Sequence, residues 1–202
     1  MIAFLLMLPL FLIAVTLHEV SHGWVALCLG DRTAKEAGRL TLNPLKHIDP
    51  VGTVVLPMLL LALHSPNVFG WAKPVPVNAL RLRHPKRDML WVGVAGPAAN
   101  FLFALVGAGL LKLFGPVAPR LFSLAMTYLV IINLVLGTFN LLPIPPLDGS
   151  RILTGVLPWR FARSLLSLER WGILLVMLLF LFGFVDRIIW PVVQFFTKVL
   201  GI

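Results

Sequence analysis

Charged residues are scarce in this chain. They make up 12% of its 202 residues, against about 25% in an ordinary soluble domain. Hydrophobic residues reach 59% and the mean hydropathy is +0.95, so a water-soluble domain is excluded and a bilayer is the expected solvent. Cysteine is nearly absent too. The single Cys28 rules out an internal disulfide framework and any multi-cysteine metal site, and reads as a helix-packing residue. No repeat at solenoid periods and no low-complexity tract occurs. The first apolar run, Met1 to Leu17, has no basic leader and continues through ionisable residues, so a cleaved signal peptide is not expected.

What is present is a series of apolar runs separated by basic segments. The formal charge of +9 does not point to nucleic acid, because the lysines and arginines cluster between apolar runs instead of lining one face. Each span needs about 20 apolar residues, which allows about four to six transmembrane helices and leaves no room for a sizeable soluble domain. The expected fold is an all-α polytopic membrane protein, with residues 1–202 as one domain and no appended soluble domain.

The first helix is expected over about Met1 to Leu29, closed by Gly30-Asp31. The basic stretch Asp31 to Pro50 contains the alternating Gly38-Arg39-Leu40-Thr41-Leu42, read as a short membrane-associated β-strand or hairpin. Val51 to Leu63 is apolar but short and contains Pro57, which suggests a kinked or re-entrant element. Ser65 to Asp88, with four prolines and five basic residues, reads as an ordered loop or at most a short hairpin. Long helices are expected over about Met89 to Phe114 and Leu121 to Leu142, a further apolar stretch over about Gly172 to Val185, and a span or interfacial helix over Ile188 to Ile202. The basic loops at 31–50, 73–87 and 151–170 are taken to face the cytoplasm.

The chemistry lies in His18-Glu19-Val20-Ser21-His22, inside the first helix. Histidines four apart stand one turn apart on one face, which is metal-ligand spacing. Insertion scales charge about 2.5–3.5 kcal/mol for one charged group at a helix centre, so such a cluster needs compensation. One Zn²⁺ supplies it, since imidazole nitrogens bind zinc and zinc activates water. Glu19, beside the first ligand, is then placed to take the water proton. A catalytic zinc usually has three protein ligands and one open position. Asp148 is the best third ligand, in a proline-broken stretch where irregular backbone is tolerated only against protein or a wet cavity; the alternative is a helix cap for the segment from Arg151.

His18-Glu19-Val20-Ser21-His22, taken with Asn140 to Gly149 and its Leu147-Asp148-Gly149, resembles the site-2 protease family of intramembrane metalloproteases. Gly38 to Gly52, Phe69 to Asn78 and Gly96-Pro97-Ala98-Ala99-Asn100 are similar to its short bacterial and archaeal branch. The resemblance implies Asp148 as third ligand, and cleavage of single-pass membrane proteins within or near their membrane segments, in regulated proteolysis or signal-peptide disposal. The basic loops put the Leu29 end of the first helix on the cytoplasmic side, so the active site is expected toward the cytoplasm of a multi-pass protein in the cell membrane. Asn140 could donate to an oxyanion or serve as interhelical glue, and Asn100 could orient substrate or a ligand or simply pack. Gly38 to Leu42 could pair with an unwound substrate. His47, His64 and His84 are expected to be ordinary loop histidines. Rival readings are a zinc transporter or metal-binding membrane protein, which needs a polar relay not evident here, and a non-cleaving relative. Oligomeric state is not legible.

Overall fold

The structure, a computed structural model, describes residues 2–63 and 70–202. Among these it is helical without strands. The long first helix, α1, runs from Ile2 to Cys28, and a single turn, α2, covers Thr33–Glu36. After a 3₁₀ turn at Pro44–His47, a π-helical turn over Pro50–Val55 leads into α3, Leu56–Ala62. Two long helices follow, α4 over Pro85–Phe114 and α5 over Arg120–Asn140. The shorter α6 (Asp148–Val156), α7 (Trp159–Ser167), α8 (Gly172–Leu181) and α9 (Trp190–Leu200) complete the chain.

Among the described residues, four helical stretches are long and apolar enough to cross a bilayer: Leu6–Cys28, Pro85–Phe114, Arg120–Asn140 and Trp159–Leu181. The chain is a multi-pass membrane protein at the lower end of the expected helix count. Their exposed faces carry Leu, Phe and Trp side chains such as Trp24, Trp91, Leu102 and Phe114, as a lipid-facing surface must. The last span begins at Trp159, well before the expected Gly172, because α7, a 3₁₀ turn at Glu169–Trp171 and α8 run on continuously through the arginines. The segment after it forms the 11-residue α9, too short to span. Ile189 and Val193 instead close a core with Ala104, Ala108, Val130 and Leu134 of α4 and α5.

Two expectations fail. Gly38 to Leu42 forms no strand. Gly38 takes a left-handed turn at φ +63°, and the neighbouring stretch at 71–78 contains Pro74 and Pro76, which cannot donate to a ladder. The expected re-entrant element at 51–63 is also not borne out. Residues 50–62 form one short apolar helix, about 20 Å long at 1.5 Å per residue. His64 lies outside the described residues.

α1, α4 and α5 run antiparallel in succession, and this positions the site. The C-terminal end of α1, the N-terminal end of α4 and the basic segments around 31–50 and 71–83 share one end of the bundle. There the Arg83 amide donates to the Leu29 carbonyl (3.1 Å) and the Asn78 amide to Asp31 Oδ2 (2.6 Å). Burial opposes ionisation of Asp31, but bonds from the Thr33 hydroxyl, the Asn78 amide and the Thr33 amide outweigh it and hold the carboxyl below the usual carboxylate range.

Candidate metal centre

His18 and His22 point from one face of α1 toward α4 at Gly96, while Gly93 of α4 leaves room for α6 at Asp148, Arg151 and Ile152. His18 lies ten residues before Cys28, so at 1.5 Å per residue it sits roughly 15 Å below that end of α1. The group therefore lies well inside Leu6–Cys28, the stretch of α1 long and apolar enough to cross a bilayer.

The chain reaches the third ligand by unwinding. α5 stops at Asn140, and the prolines at 143, 145 and 146 carry the backbone through tight turns before α6 begins at Asp148. Gly149 allows this return, because any side chain there would collide with the Leu141 and Leu142 carbonyl oxygens. The carboxylate of Asp148 does not cap α6. Oδ2 lies 3.0 Å from His18 Nε2 and 3.1 Å from His22 Nε2, and the two ring nitrogens are 3.1 Å apart. Oδ1 accepts from Arg151 Nη1 at 3.2 Å, which fixes the rotation of the carboxylate. All three residues are buried.

The partners of the other ring nitrogens decide what this arrangement can hold. His22 Nδ1 donates to the Val92 carbonyl and His18 Nδ1 to Asn100 Oδ1, each at 2.6 Å. With protons committed there, both Nε2 atoms turn lone pairs, and Asp148 Oδ2 a negative charge, toward one buried point. Such a convergence is costly unless a cation occupies it. Ligand atoms around a tetrahedral zinc at about 2.0–2.1 Å stand about 3.3 Å apart, close to the observed edges, and two imidazoles with one carboxylate are a zinc donor set. Among the described residues this is the one group of three or more such side chains able to hold a metal.

Asn100 is buried and makes polar contacts on both sides of its amide. Its amide donates to Asn133 Oδ1 (2.9 Å), whose own amide donates to the Leu129 carbonyl (2.8 Å), so a buried relay crosses three helices and ends on the His18 ring. Asn133 was not singled out in the sequence, although a lone Asn in an apolar run is the same signal that marked Asn100. Asn100→Ala is expected to weaken Zn²⁺ binding by about 10–100-fold, with a smaller loss for Asn133→Ala, in competition against a chromophoric chelator. Unchanged affinity in both would show that the relay does not orient the ring.

Glu19 lies beside the ligands, with its Oε2 accepting from the Val75 amide at 2.8 Å. Asn140 donates to the Leu136 carbonyl of its own helix (2.9 Å) and makes no bond to the ligand group. His47 is buried against the Thr41 carbonyl, away from the centre. Gly38 to Leu42 pass beside α1, where Leu40 occupies the space left by Gly23.

Fold and site together define a multi-pass membrane protein with a buried metal-ligating group. The chain belongs to the site-2 proteases, peptidase family M50, whose model matches residues 112–184, including Asp148. It is 37% identical to "Putative zinc metalloprotease YwhC" of Bacillus subtilis, over 91% of this chain and 83% of the relative. To "Putative zinc metalloprotease Rip2" of Mycolicibacterium smegmatis it is 32% identical over 98% of this chain and 75% of the relative. It is 27% identical to "Zinc metalloprotease MJ0392" of Methanocaldococcus jannaschii, over 86% of this chain and 41% of that protein. No solved structure matches the chain.

Proposed function

We propose that this protein is an intramembrane zinc metalloprotease that cuts single-pass membrane proteins within or near their membrane segments, with His18, His22 and Asp148 as ligands and Glu19 as general base. The observation that carries the reading is the convergence of three ligand atoms on the bilayer-length stretch of α1, beside a carboxylate of the same helix. The names of the relatives support zinc and peptide hydrolysis. Bound zinc supplies Lewis-acid chemistry, acidifying water and polarising a carbonyl. Glu19 takes the proton of the attacking water and returns it to the leaving amine nitrogen. Asn100 and Val92 hold the ligand rings in one tautomer, and Arg151 holds Asp148 in one rotation. An oxyanion role for Asn140 would use the second N–H of its amide, the first being donated to the Leu136 carbonyl.

A helical substrate must unwind before its carbonyl can be attacked. Leu40, which packs against α1 at Gly23, and Leu42 have backbone N–H groups without a partner among the described residues. They are suited to pair with an unwound segment even though no strand is preformed. Leu40→Pro removes one donor and is expected to raise KM several-fold with zinc retained; unchanged KM and kcat would exclude pairing there. The clustering of basic segments at the end of α1 nearer the site supports a cytoplasm-facing site in the cell membrane.

The test is cleavage of a helix-destabilised single-pass substrate by purified protein, with zinc measured in parallel. One zinc per chain with cleavage inside the membrane segment supports the reading. Zinc without cleavage of several such substrates refutes proteolysis by the chain alone, and absence of zinc refutes the ligand set.

A further inference from the structure

The roles above leave one set of contacts without a task. Residues 71–78 run past the face of α1 that carries Glu19, and backbone groups of Trp71, Lys73, Pro74, Val75 and Asn78 are held by the surrounding segments. The Trp71 and Lys73 amides donate to the Gly52 and His47 carbonyls (3.2 and 2.9 Å). The Val75 amide donates to Glu19 Oε2 (2.8 Å) and the Asn78 amide to Asp31 Oδ2 (2.6 Å). Arg39 donates to the Lys73 and Pro74 carbonyls at 2.8 and 3.3 Å. Asp31 is 1% exposed and its second oxygen is held by the Thr33 amide at 2.9 Å.

Two features show that this stretch is built to lie against α1. Gly23, one turn after Glu19, lacks the side chain that would collide with Val75, whose Cγ1 would be 2.8 Å from a Cβ there. Pro74 and Pro76 strip donors from the stretch, so it cannot easily be drawn into a sheet with another chain. The Val75 amide lies between two prolines, and its bond to Glu19 is the polar contact this stretch makes with α1.

We propose that residues 73–78 are a strap that orients the general base through the Val75 N–H, and that Asp31 and Arg39 are positioning residues holding the strap at either side. The inference rests on the proteolytic reading of the site. A glutamate has three rotatable bonds, and a donor on Oε2 selects one orientation, leaving Oε1 for the attacking water. Asp31 and Arg39 touch neither substrate nor metal and act only through the backbone they grip.

The experiment uses the purified full chain, zinc-loaded, with the substrate described above. Val75→Pro deletes the N–H and is compared with Val75→Ala, which keeps it. The expected result is one zinc in both and a kcat about 10–100-fold lower in Val75→Pro than in Val75→Ala, with KM little changed. Arg39→Ala and Asp31→Asn are expected to lower kcat by smaller factors, and adding Arg39→Ala to Val75→Pro should cost nothing further, because both remove one effect. Equal kcat in the two Val75 variants, or additive losses in the double variant, would overturn the strap.

Amide hydrogen exchange at Val75 reads the contact without turnover. Faster exchange in Glu19→Ala than in wild type is expected, and unchanged exchange overturns the proposal even where cleavage is seen. If Val75→Pro does not fold, exchange together with the Arg39 and Asp31 variants decides. If wild type cleaves nothing yet exchange responds to Glu19→Ala, the contact stands and the proteolytic reading fails.

Discussion

Glu19→Gln should keep one zinc per chain and lose about 10²–10⁴ in kcat, the range over which a positioned general acid–base group acts. The substitution separates two roles that most changes here would confound. Gln cannot accept the water proton, so the chemical step stalls. Its side-chain oxygen can still accept from the Val75 amide, so the strap and the shape of α1 are preserved. The ligands are untouched, because His18, His22 and Asp148 make their contacts without Glu19. His18→Ala or Asp148→Ala should behave differently: activity falls because the metal is lost, and zinc analysis distinguishes the cases. KM should move little in Glu19→Gln, since the carboxylate acts in the transition state and not in substrate binding. Retained kcat with zinc bound would assign the proton transfer to another group. Loss of zinc would make Glu19 part of the ligand sphere.

The site was legible in the sequence where its information is local or costly. The i, i+4 histidines are fixed by helix geometry, and placing them with a carboxylate in an apolar run leaves few purposes other than a metal. Asp148 was legible because prolines at membrane depth need a reason. Groups that act through backbone atoms were not legible. The Val92 carbonyl that holds His22 and the Val75 amide that holds Glu19 carry no side-chain signature, and Val75 is 56 residues from its partner. The alternation at Gly38 to Leu42 reads as a strand, but a strand needs a neighbour able to donate, and the nearby segment presents prolines. The start of the last span was misjudged because Arg160, Arg163 and Arg170 look like loop residues. A helix entering a bilayer carries arginines in its first turns without breaking.

Gly96→Ala should abolish or reduce zinc binding by about 100-fold or more, beyond the usual effect of removing an outer-shell partner. The added methyl would meet His22 Nε2, an atom presented to the metal, and would lie 2.6 Å from His18 Cε1. Neither ring can retreat freely. His18 is tied to Asn100 and through it to Asn133, and His22 is tied to the Val92 carbonyl. Moving either ring breaks a buried hydrogen bond and turns Nε2 away from Asp148. Intrinsic propensity predicts the opposite sign, because replacing a mid-helix glycine by alanine stabilises a helix by about 0.8–1.0 kcal/mol. Gly109 supplies the control on the same helix, since a methyl there meets nothing within 4 Å. Gly109→Ala is therefore expected to keep wild-type zinc affinity and to gain slightly in thermal stability. If Gly96→Ala instead binds zinc like wild type and matches Gly109→Ala in stability, the histidines do not turn toward α4 as described. The metal would then have to be held by another arrangement of the same residues.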